Sequence, residues 1–233
     1  MAPDVLLVPG LGGRAAFWDR QGAALAGRFR PFACDLRGRD TVEALARDVL
    51  DELDARGVAR CHVVGHSTGG AIAQVIAQEH PERVERLVLS ATWCAPTTPF
   101  AALFRLRKRI LAELGAAAFA VHGALLGWPD PWLEAHPELL SGADPGEAAA
   151  LAARLDAILA FDRSAHLGRI RAPTLVVCAA DDAVVPLGHS RRIAAGIRGA
   201  TLRVLPDGGH FPQVTRTDAY NSLLIEFLEQ ADG

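Results

Sequence analysis

Residues 63 to 72 read VVGHSTGGAI. Apolar residues lead into Gly65-His66-Ser67-Thr68-Gly69-Gly70, and an apolar run resumes at Ala71. A serine held between glycines where a strand gives way to a helix fits a sharp, strained turn. Bulky neighbours would clash at such a turn, so glycines flank it. The serine oxygen then projects above the strand ends, with the N-terminus of the following helix behind it. The pattern G-x-S-x-G makes Ser67 a candidate nucleophile, and it requires a strand before it and a helix after it.

The rest of the chain supplies that context. Short apolar runs occur at 4 to 10 (DVLLVPG), 30 to 36 (RPFACDL), 61 to 67, 84 to 92 (VERLVLSAT), 174 to 180 (TLVVCAA) and 200 to 206 (ATLRVLP). Runs without polar alternation are strands buried on both faces. Amphipathic stretches lie between them. The first is a helix over residues 14 to 28. Another, capped by Thr41 and ended by Gly57, carries Val42, Leu45, Val49, Leu50 and Leu53 on one face. Others follow at about 68 to 80, 187 to 197 and 217 to 230. The alternation predicts an α/β fold: a mostly parallel sheet of about six strands, wound on both sides by helices.

Residues 93 to 170 break the alternation and contain no convincing strand. They read as three or four helices with Pro and Gly breaks, inserted between the fourth and fifth strands. This divides the chain into a core, 1–92 with 171–233, and a helical cap, 93–170. The cap is expected over the sheet's carboxyl edge, where open α/β sheets bind ligands.

A serine hydroxyl needs a base, and the base needs a carboxylate. His210, in PDGGHF after the sixth strand, is the candidate base. Asp181 and Asp182 follow the fifth strand in AADDAVVP. Asp182 takes the carboxylate role by its place in D-x-x-V-P, with Asp181 the alternative. A developing oxyanion needs backbone donors. Thr68 at the start of the helix and Leu11 in PGLGG (9 to 13) are the candidates.

Composition removes other classes. The 233 residues suit one large domain, and a net charge of −3 argues against a nucleic-acid-binding surface. No apolar run is expected to reach the length of a membrane span, and the start lacks the features of a signal peptide. The four cysteines form no C-x-x-C pair and no zinc spacing, and they read as buried free thiols of a cytoplasmic protein. No metal or cofactor is expected, and the partner is a small-molecule substrate.

PGLGG, DLRG (35 to 38), GHSTGG (65 to 70), DDAVVP (181 to 186) and GGH (208 to 210) together resemble the α/β-hydrolase superfamily, in its order and over the whole chain. Many members have His-Gly where Pro9-Gly10 stands here. The stretches at 169 to 186 and 208 to 228, with FRLRKRIL (104 to 111) and WPDPWL (128 to 133), are similar to aminoacrylate hydrolases, near 3-oxoadipate enol-lactonases and small carboxylesterases. The resemblance implies ester or acyl hydrolysis through Ser67, His210 and Asp182. Enamine hydrolysis, lactone opening and C–C cleavage are the rivals on the same frame. Dehalogenase and epoxide hydrolase chemistry would need an aspartate in place of Ser67. A non-catalytic binding protein is the alternative of another class, and it would be expected to have lost a triad member. Trp93, Phe104, Arg107, Trp128 and Trp132 are candidate pocket residues. Arg107, within the charge run 105 to 109, is the candidate contact for a substrate carboxylate.

Overall fold

The computed structural model describes residues 2–142 and 147–230. Six strands, β1 (Asp4–Val8), β2 (Arg30–Ala33), β3 (Cys61–His66), β4 (Val84–Ser90), β5 (Thr174–Ala179) and β6 (Thr201–Leu205), make one sheet. The order is β2-β1-β3-β4-β5-β6, and every neighbouring pair is parallel. Each strand lies where an apolar run predicts it. Strands β3 and β5 are buried at every position, as central strands covered on both faces must be.

The described residues form nine α-helices, α1 (Asp19–Leu25), α2 (Val42–Ala55), α3 (Thr68–Glu79), α4 (Thr98–Gly127), α5 (Asp130–Ala135), α6 (Ala148–Ala160), α7 (Leu187–Gly196), α8 (Pro212–Thr215) and α9 (Thr217–Leu228). Thr41 caps α2 as expected, its Oγ1 accepting from the Ala44 N–H. The helix expected over 14 to 28 is shorter: a 3-10 turn at Ala15–Trp18 leads into α1, and Gly27 turns the chain at φ 86°.

Strand pleating divides the core in two. Leu6, Val8, Val63, Leu87 and Val176 face α2, α3 and α7. Val5, Leu7, Val64, Val88 and Val177 face Trp18, Leu25 of α1, and Tyr220, Leu224 and Phe227 of α9. Alternate residues of one strand thus feed opposite layers. Because the strands are parallel, the loops after β1, β3, β5 and β6 open onto one edge. The order reverses between β1 and β3, the crevice where open α/β sheets place ligands.

Between β4 and β5 the described residues contain α4, α5, α6 and two 3-10 turns, and no strand. Gly115, at φ 84°, breaks α4 into two helical lengths. The break brings Phe104 and Arg107 of the first half and Phe119 of the second onto one cavity wall. The expectation that no apolar run reaches the length of a membrane span does not hold. By length and composition, α4 is long and apolar enough to cross a membrane. The charges at 105 to 109 hide an apolar stretch that runs from Ile110 with Glu113 as its one charge.

Candidate active site

The elbow is built from close approaches. Gly65 and Gly69 stand where a Cβ cannot fit: a methyl on Gly65 would strike the Gly69 carbonyl, and one on Gly69 the Val8 carbonyl. Helix α3 therefore packs directly on β1 and β3. Ser67 pays for the turn with φ 53° and ψ −116°, a conformation costing about 1–3 kcal/mol. Neighbouring bonds hold it there. The Ser67 N–H donates to the Ser90 carbonyl at 2.9 Å, and Thr92 Oγ1 donates to the Ser67 carbonyl at 2.7 Å.

Two loops from the same edge complete the arrangement. Asp182, buried after β5, accepts from the Val184 and Val185 N–H groups through Oδ1, at 2.8 and 2.9 Å. Its Oδ2 lies 2.9 Å from His210 Nδ1. A carboxylate can only accept, so Nδ1 carries the proton and Nε2 is left as the basic nitrogen. Asp181 points elsewhere: its carboxylate accepts from the Gly209 N–H at 2.9 Å and the Gly208 N–H at 3.3 Å. Gly208 and Gly209 both have positive φ, at 133° and 64°, so the approach to His210 needs glycine. The His210 N–H donates to the Gly127 carbonyl at the end of α4, at 2.8 Å.

Ser67 and His210 line one cavity of about 730 Å³. The loop after β1 lines it from Pro9 to Arg14. There the Gly13 N–H donates to the Gly10 carbonyl at 2.9 Å, a turn that does not use the Leu11 N–H. Leu11 lines the cavity, and Thr68 is the first residue of α3, where an N–H has no helical acceptor.

Among the expected pocket residues, Phe104, Arg107 and Trp128 line the cavity. Trp93 does not. It is fully buried against Phe100, Phe104 and Phe161, a core residue beneath the helical insert. Trp132 also lies off the cavity, stacked between Trp128 and His136. Phe17, His66 and Phe211 also line the cavity, and they are not among the expected pocket residues. Phe17 and Phe211 pack edge-on at 6.2 Å, and His66 sits 4.8 Å from the His210 ring and 5.0 Å from Phe17. Phe211 follows His210 and His66 precedes Ser67, so adjacency in the sequence is the available signal. Burial, and then the charge of His210, push the His66 pKa well below its ordinary value, so its ring is neutral.

Residues 5–223 match the model of the alpha/beta hydrolase family. The chain belongs to that family. It is a hydrolase. A protein of Variovorax paradoxus, "Putative carbamate hydrolase RutD", is 40% identical over 98% of this chain and 92% of its own length. The enol-lactonase of Burkholderia xenovorans superposes with a TM-score of 0.90 at 27% identity, over 99% of this chain and 92% of the other. A hydrolase of Pseudomonas aeruginosa gives 0.87 at 32%, over 98% and 91%. The six-stranded parallel sheet with helices on both faces is thus an alpha/beta hydrolase fold.

Proposed function

We propose that this hydrolase cleaves a small carboxylic ester or related acyl substrate through Ser67, His210 and Asp182. The observation that carries the reading is the 2.9 Å bond from Asp182 to His210 Nδ1, with His210 and Ser67 on one cavity. Asp182 fixes the ring tautomer and favours the imidazolium. His210 Nε2 takes the Ser67 proton as Oγ bonds to the carbonyl carbon. The carbonyl electron pair moves to oxygen, where the Leu11 and Thr68 N–H groups stabilise it. The tetrahedral adduct collapses, and the leaving alkoxide departs with the proton from His210. Water then attacks the acyl-enzyme and gives His210 a proton, which returns to Ser67 as the acid leaves. No metal or organic cofactor enters these steps, and the buried free cysteines suit a reducing compartment such as the cytoplasm.

A second reading is cleavage of a carbamate or enamine C–N bond, or of an enol-lactone, at the same site. The relative named as a carbamate hydrolase and the enol-lactonase neighbour favour it. A fluorophosphonate probe and 4-nitrophenyl acetate, applied to the wild type and to Ser67→Ala and His210→Ala, test the first reading. Labelling and turnover confined to the wild type are expected. A folded wild type inert to both would remove the serine mechanism and leave the C–N reading, scored by ammonia release.

A further inference from the structure

Helix α4 turns an unusual stripe inward. Phe100, Phe104, Arg107 and Leu111 follow helical spacing and are all buried, so a cation occupies an apolar seam. Its neighbours in the charge run do not share this place. Lys108 pairs with Asp156, Arg109 pairs with Glu113, and Arg105 is exposed. Arg107 is 8% exposed, and among the described residues no carboxylate pairs with it and its Nε has no hydrogen-bond partner. Two rings flank it, Phe119 at 4.7 Å and Phe104 at 5.4 Å from the guanidinium carbon. Ring faces compensate a buried cation only in part. Burial lowers its pKa to about 10, so it stays charged near neutrality. Gly123 leaves room beside it: a Cβ there would come 3.0 Å from Nη2.

Arg107 lines the cavity that holds Ser67 and His210, with Phe104, Phe119, Ala124 and Leu151 as apolar wall. A guanidinium offers a planar fork of donors that matches a carboxylate. We propose that Arg107 binds a carboxylate of the substrate that is separate from the scissile carbonyl. The substrate class is then a small acyl compound with a short apolar spacer ending in an unreacting anion. This rests on the acyl-transfer reading for the reaction, but not for the binding.

The test compares methyl hydrogen glutarate with methyl glutaramate, its neutral isostere, by pH-stat. The wild type is expected to favour the anion by about 10- to 100-fold in kcat/KM, mainly through KM. In Arg107→Gln the ratio falls to about one, Arg107→Lys restores part of it, and Gly123→Ala lowers it while keeping the charge. A wild type without preference overturns the proposal, as does an Arg107→Gln enzyme that slows both esters equally. If Arg107→Gln does not fold, the Lys and Gly123→Ala variants decide. If the wild type cleaves neither ester, the acyl-transfer reading fails, and titration calorimetry of glutarate against glutaramide on Ser67→Ala decides the anion site. Glutarate binding that weakens with Gly123→Ala added supports it, and equal affinity for the two overturns it.

Discussion

Asp181 and Asp182 grip the same loop at different points: Asp182 holds the His210 ring at 2.9 Å, and Asp181 holds the backbone N–H of Gly209 at 2.9 Å. One carboxylate orients the His210 ring and its neighbour shapes the loop that presents it. Asp182→Asn is expected to lower kcat for ester hydrolysis by about 10⁴, because the amide favours the wrong tautomer. Asp181→Ala is expected to cost less than about tenfold in kcat and about 1 kcal/mol of stability. Steady-state kinetics and urea titration of both variants check this, and equal kinetic losses would undo the division of labour.

Two glycine substitutions should move stability in opposite directions. Gly69→Ala drives a methyl into the Val8 carbonyl and should cost about 3 kcal/mol or prevent folding. Gly22→Ala, inside α1 with nothing within 4 Å of the added carbon, should gain about 0.5–1 kcal/mol. Urea midpoints of the two proteins test the pair.

His66 sets a pH dependence of stability. Its folded-state pKa lies well below the ordinary histidine value, so below about pH 6.5 the unfolded chain binds more protons. Stability therefore falls as pH drops from about 6.5 toward the folded pKa. His122 and His189, also lowered mainly by burial, add to the same slope. Replacing His66 by Gln should remove up to about 1.4 kcal/mol per pH unit from it. Unfolding free energies at several pH values between about 7.5 and 5 supply the comparison, and identical slopes would refute it.

Trp93→Ala should act on folding, at about 3–5 kcal/mol, since the ring is wholly buried among Phe100, Phe104 and Phe161. Trp128→Ala should act on selectivity, because that ring stands on the cavity wall 4.3 Å from Phe211. Rates across a series of acyl chain lengths separate the two, with the larger change expected for Trp128→Ala.

These contrasts show what the sequence makes legible. The central strands β3 and β5 are plain because burial on both faces leaves little room for polar residues, whereas the edge strands β2 and β6 keep exposed positions. The elbow is plain because glycine is the only residue that fits where α3 meets β1. That Asp182 and not Asp181 reaches the His210 ring agrees with its spacing to Pro186. The helical insert is harder. Trp93 and Trp128 are both tryptophans near apolar helices, and only packing tells core from wall. Glycine breaks are expected in this segment but not placed, because Gly115 sits among good helix formers, and it is the one that divides α4. Arg107 lies among four cations, and only the phase set by Phe100, Phe104 and Leu111 shows that it turns inward.

The bond from the His210 N–H to the Gly127 carbonyl has a bearing on how such enzymes diversify. The insert between β4 and β5 is joined to the rest of the fold at more than its two chain ends. Here its helix end is spliced into the loop that carries His210, and Phe211 fills the space beside Gly127. A foreign insert would reach the site only if it also presented a free carbonyl and a side-chain-free residue at that junction. The graft point for a chimera is thus the His210 loop as much as the ends of the insert, and the two have to be inherited together.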